Sequence, residues 1–96
     1  MWPIEKRIRE EIRRTEELLS VPGLSGEKRR WAEGRMTVLR VMLDRLERSK
    51  ADWHGHGWYD EESDFDACYE NTVEELIEAG ALEPEFKEVD KRERRS

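Results

Sequence analysis

Two histidines one residue apart, His54 and His56, are the residues whose spacing points most directly to chemistry. Neutral imidazoles so placed can share a metal ion, with Asp60, Glu62, Asp64 or Cys68 completing the shell. No second ligand pair of the CxxC or HExxH kind accompanies them, so a solvated turn without metal is the expected reading. The alternating acids Asp60, Glu62, Asp64 and Asp66 imitate a calcium loop. They lack its central glycine and its closing bidentate glutamate, which excludes an EF-hand. Cys68 with either histidine would supply a nucleophile and a base, but no GxSxG, HExxH or nucleotide fingerprint frames them. A helical chain this small also has little material for a water-excluding pocket. The sequence therefore reads as non-enzymatic, with no cofactor.

Aromatic residues cluster around the histidines. Trp53, Trp58 and Tyr59 stand in a segment punctuated by Gly55 and Gly57, and Asp60, Glu61 and Glu62 follow at once. Tryptophan and tyrosine offer rigid apolar area with a polar handle, which is why they dominate binding hot spots. The segment either presents an exposed recognition tip or caps the core at one end of a helical bundle. The recognition reading makes Trp53, Trp58, Tyr59, Asp60, Glu61 and Glu62 the candidate partner-binding residues.

A third constellation is basic. Lys28, Arg29 and Arg30 fall in the first turn of an expected helix, whose free amides point at any bound anion. Arg35 lies about 40° from Trp31 on the apolar arc of that helix, where an unpaired charge is costly. It either meets a carboxylate of the acidic half or binds an anionic ligand. The turn Gly23-Leu24-Ser25-Gly26 lacks the phosphate-loop pattern GxxxxGK[ST].

Three helices are expected to position these groups. Pro3 suits a first helical position, and Ile4, Ile8, Ile12, Thr15 and Leu19 make one apolar stripe, so a helix runs from about Ile4 to Leu19. Ser20-Val21-Pro22-Gly23-Leu24 breaks it. Ser25 is a good N-cap for a second helix of roughly 28 residues, to which Trp31, Ala32, Met36, Val38, Leu39, Met42, Leu43, Leu46 and Trp53 give an arc of about 160°. Two helices can pack on so wide an arc, and Gly34 near its margin permits close approach. Ser63 is a possible cap for the next segment. Thr72 with Glu75 matches a capping box and Gly80 a stop, so residues 64–79 form one helix or two with a kink at Asn71-Thr72. Leu82 and Phe86 are placed to fold back on the bundle. From Lys87 onward the chain is nearly all charge and is expected to be disordered. The expected fold is all-α: a small three-helix bundle with a long central helix in a single domain, residues 1–86, and a charged tail, residues 87–96.

Composition bounds the function further. Of 96 residues, 44% are charged and 35% hydrophobic, so the core is thin and one domain fills the chain. Residues 1–51 hold 13 basic and 9 acidic side chains, whereas residues 52–96 hold 5 and 15. The acidic half is expected to pack on the basic helices of its own chain, with head-to-tail assembly or an acidic face for a partner as the alternatives. An overall charge of −6 and the lack of helix–turn–helix spacing argue against direct nucleic-acid binding. Charge begins at Glu5 and no apolar run approaches a span, so neither a signal core nor a membrane helix is expected. A single cysteine, Cys68, excludes an internal disulfide framework and fits a reducing cytoplasm.

Arg7–Leu19, the Pro22-Gly23 turn and the run Trp31-Ala32-Glu33-Gly34-Arg35-Met36 together resemble short helical proteins of actinobacteria and their phages, over about half of the chain. The resemblance implies no particular chemistry. It implies an accessory role in phage–host conflict exercised by binding, such as inhibition of a host defence. The function expected is a self-associating helical interaction module that binds a protein partner through its aromatic and acidic surface. The alternatives are a protein that holds a small anion such as a nucleotide, and an acidic mimic that occupies a nucleic-acid-binding protein.

Overall fold

A computed structural model describes residues 3–52 and 64–95, and within them the chain is all-helical. Four helices are present among these residues: α1 (Pro3–Leu19), α2 (Gly26–Asp52), α3 (Asp64–Glu78) and α4 (Phe86–Arg95). The expectation of three helices is corrected at the C-terminal end, where residues assigned to a disordered tail form α4.

Local chemistry sets the boundaries. Pro3 opens α1 as the residue without an amide to satisfy. At its other end Ser20 donates its amide to the carbonyls of Glu16 and Glu17 at 3.1 Å, and Gly23 takes φ +78° in the turn that follows. Ser25 caps α2 as its type predicts, its Oγ accepting from the Lys28 amide at 3.2 Å. After α3, Gly80 adopts φ +80°, donating its amide to the Ile77 carbonyl while Ala81 donates to that of Leu76. Those two bonds are a Schellman closure, and they turn the chain back toward α2.

The question of one helix or two over 64–79 resolves as one. Thr72 does not cap a new helix. Its Oγ1 donates to the Cys68 carbonyl at 2.7 Å, the back-bond of a threonine inside a helix, and its buried side chain keeps α3 continuous.

Helix α2 is the axis of the fold and touches each of the other three. Its Val38, Leu39, Met42 and Leu46 are buried against Ile4 and Ile8 of α1 and Phe65, Tyr69 and Val73 of α3. Leu82 and Phe86 fold back on it as expected. The Phe86 ring lies so close over Gly34 that a Cβ built there would stand 2.6 Å from Cε2. Glycine at that position lets α4 dock. Among the described residues, Val21 is the one large hydrophobic side chain left exposed.

Candidate functional site

The strongest concentration of chemistry among the described residues is a buried ionic centre where all four helices meet. Glu11 (α1), Arg35 (α2), Tyr69 (α3) and Asp90 (α4) are each under 10% exposed. Arg35 Nη2 donates to Glu11 Oε2 at 2.6 Å, and its Nη1 lies 3.9 Å from Asp90 Oδ1. Asp90 Oδ1 accepts from the Tyr69 hydroxyl at 2.8 Å and from Trp31 Nε1 at 3.0 Å. Its Oδ2 accepts from Arg94 Nη1 at 3.3 Å. Arg7 and Arg14 donate to the other Glu11 oxygen at 3.2 and 3.3 Å.

Aromatic faces complete the enclosure. The Arg35 guanidinium lies 5.1 Å from the Tyr69 ring centroid and 5.6 Å from that of Trp31, and Arg94 covers Tyr69 at 4.7 Å. Such stacking stabilises a cation where water has been removed. Arg35 Nη1 makes no hydrogen bond within the described residues, so ring face and Coulomb attraction hold that nitrogen. Burial opposes the charge on Arg35, yet Tyr69 and the Glu11 carboxylate outweigh it and hold the guanidinium above its ordinary pKa. Burial first, and then the charge of Asp90, push the Tyr69 phenol well up, so it stays a hydrogen-bond donor.

A cleft of about 710 Å³ opens beside this centre, bordered by Arg14, Leu18, Phe65 and Lys91 among others. Its chemistry is self-neutralising. The cations nearest Glu11 already hold it, and an incoming anion would compete with that carboxylate for them. The centre fastens the four helices to one another through side chains that already hold each other.

The predicted basic constellation is not brought together. Arg35 takes the carboxylate role offered as one of its two readings, with Glu11 from the basic half and Asp90 from the acidic half. Lys28 shares that face of α2, and its Nζ lies 3.7 Å from Glu93 of α4. Arg29 and Arg30 are exposed, about 100° and 200° round the helix from Lys28. Trp53, Trp58, Tyr59, Asp60, Glu61, Glu62 and both histidines, His54 and His56, lie outside the described residues. Among the described residues no three His, Cys, Asp or Glu side chains converge as a metal ion requires.

The acidic half meets the basic half partway. Arg45 pairs with Glu75 across α2 and α3, alongside the Lys28–Glu93 and Arg35–Asp90 contacts. Lys87 and Glu74 pair within the acidic half at 2.9 Å, which lowers the glutamate's pKa and raises the lysine's. Glu11 and Asp90 were missed as partners by sequence reasoning. A signal existed for both: Glu11 stands three residues after Ile8 and four before Thr15 on the apolar stripe, and Asp90 stands four after Phe86.

No family model matches the chain, and no match was found among curated proteins or solved structures. No helix among the described residues is long and apolar enough to cross a membrane.

Proposed function

We propose that this chain is a non-catalytic helical module that binds a protein partner through the aromatic and acidic segment Trp53, Trp58, Tyr59, Asp60, Glu61 and Glu62. One observation carries the reading. Among the described residues Val21, in the turn between α1 and α2, is the one large hydrophobic side chain left exposed, and the large apolar side chains of the helices are buried or half-buried. Large apolar area for recognition is concentrated instead in the segment that joins α2 to α3, two helices fixed to each other through Leu46, Phe65 and Tyr69. Hot-spot binding needs such rings on a rigid base.

The wide arc of α2 gives less support to self-association than it did as sequence, because α1, α3 and α4 cover it within one chain. The half-buried Cys68, packed against the core, is in keeping with a reducing cytoplasm. An accessory or inhibitory role, of the kind the phage resemblance implies, needs no more than this binding.

The test is capture of a partner by the wild type and by a Trp58→Ala/Tyr59→Ala variant, with circular dichroism of both. The proposal expects a stoichiometric protein on the wild type, at least tenfold less on the variant, and equal helicity. Equal capture by both would contradict it, and collapse of the variant's helicity would place the rings in the core.

A further inference from the structure

A second surface lies on the opposite half of α2. The N-terminal part of that helix, the α3–α4 connection and the start of α4 enclose an open groove of about 890 Å³. Its floor is apolar: Gly34, Leu82, Phe86 and Val89, with the Trp31 ring at one side. The floor exists because Gly34 has no side chain and lets the Phe86 ring sink against α2. The Trp31 indole nitrogen is already held by Asp90, so the ring offers the groove no unsatisfied donor.

The rim has the opposite character. Glu27, Glu33, Glu83 and Glu85 stand round the groove, and among the described residues Arg30 is the sole cation lining it. None of these four side-chain carboxylates takes part in an ion pair or hydrogen bond with another described residue. This contrasts with Glu11, Glu47, Glu74, Glu75 and Asp90, each of which has a basic partner. Glu10, Glu16, Glu17, Glu70, Glu78 and Glu88 also stand without an ion pair among the described residues, but these four are gathered round one apolar groove with Arg30 as the one cation among its described lining residues. That clustering of negative charge round an apolar floor is complementary to a cationic, partly apolar partner.

We propose that this groove docks a cationic amphipathic helix of a partner protein, its apolar face on Leu82, Phe86 and Val89 and its lysines or arginines against the four glutamates. Helix α2 runs about 16 Å from Gly26 to Thr37 along the groove, which accommodates three turns of a second helix. Apolar anchors at helical spacing in a groove, with charge fixing the orientation, are a common mode of peptide recognition. A net rim charge of about −3 repels phosphate, so nucleic acid and anionic membrane are the wrong sign. The groove lies about 22 Å along α2 from Asp52, after which the aromatic segment begins. It stands whether or not Trp53 to Glu62 bind a partner.

The probe is a fluorescein-labelled leucine–lysine helix of about four turns, titrated against the full chain by anisotropy. Two control peptides accompany it: one with the same composition scrambled so that leucines no longer share a face, and one with glutamate in place of lysine. Saturable binding is expected for the amphipathic cationic peptide, weaker by at least tenfold for the scrambled one and absent for the acidic one. A Glu33→Gln/Glu83→Gln/Glu85→Gln variant, changed at exposed positions alone, should weaken binding about fivefold and flatten its salt dependence. Val89→Gln should weaken it without flattening the salt dependence, and Trp58→Ala/Tyr59→Ala should leave it unchanged. Absence of saturable binding, equal affinity for the scrambled peptide, indifference to the three glutamine substitutions, or loss through the Trp58/Tyr59 variant would each overturn the proposal.

Discussion

Replacing Asp90 with alanine should unfasten α4 and most of the centre with it. The carboxylate is 3% exposed and accepts from Tyr69, Trp31 and Arg94, with Arg35 Nη1 at 3.9 Å. Its removal strands the buried Tyr69 hydroxyl, at a cost of about 1–3 kcal/mol, and unpairs the part-buried Trp31 and Arg94 donors at a smaller cost because water reaches them. Breaking a buried ionic contact by removing one partner costs about 3–5 kcal/mol as a whole, so about 4 kcal/mol is the expected loss. Total stability for a domain of this size is on the order of 5–15 kcal/mol, so the variant keeps a fraction of it. The melting midpoint, followed by circular dichroism, should fall by about 15–30 °C. Asp90→Asn retains an acceptor oxygen for Tyr69 or Trp31 but loses the charge facing Arg35 and Arg94, and should fall about half as far. A shift under about 3 °C for Asp90→Ala would mean that α4 does not dock through this residue, and would refute the four-helix clamp.

Two further outcomes follow from the same contacts. Tyr69→Phe should lose about 1.5 kcal/mol at neutral pH through the missing bond to Asp90. Because burial and the charge of Asp90 raise the phenol's pKa in the folded chain, the unfolded chain ionises first, near pH 10. The Tyr69 contribution is therefore fully present below about pH 10 and lost as pH rises above it, so urea midpoints at pH 8 and 11 should differ more for the wild type than for Tyr69→Phe. Equal differences would remove Tyr69 from the centre. Gly34→Ala gains about 1 kcal/mol of helix propensity, but its Cβ would stand 2.6 and 2.8 Å from two Phe86 ring carbons. A net loss of about 1–2 kcal/mol in urea unfolding is expected, and a more stable variant would contradict the Phe86 packing.

Helices α1 and α2 were legible because their apolar stripes, the Ser25 cap and the Pro22-Gly23 break are local signals that tertiary contacts reinforce. Gly80 was legible for the same reason. Thr72 misled, since a threonine followed three residues later by a glutamate reads identically whether it caps a helix or back-bonds inside one. Helix α4 was illegible because its sequence, FKEVDKRERR, offers Phe86 and Val89 as its only apolar residues. Its order rests on a ring seated over a glycine 52 residues away in sequence and on a buried carboxylate. Phe86, Val89 and Asp90 make a stripe too short and too sparse in apolar residues to read as a helix beside so much charge. The Arg35 position was half legible: a guanidinium on an apolar arc demands a countercharge, and the spacing that sets Glu11 and Asp90 beside apolar residues names them only once α1 and α4 are known to pack on α2. The candidate recognition residues between α2 and α3 rest on residue type and on where the two helices end and begin.

Native mass spectrometry of the protein, purified gently from the cells that encode it, tests the central claim most directly. Subunit number, bound protein and bound small molecule are read in one spectrum. The account predicts a complex whose added mass is a protein, lost when Trp58 and Tyr59 are replaced by alanine. An added mass of a few hundred daltons from a small anion, with no protein partner, would contradict it.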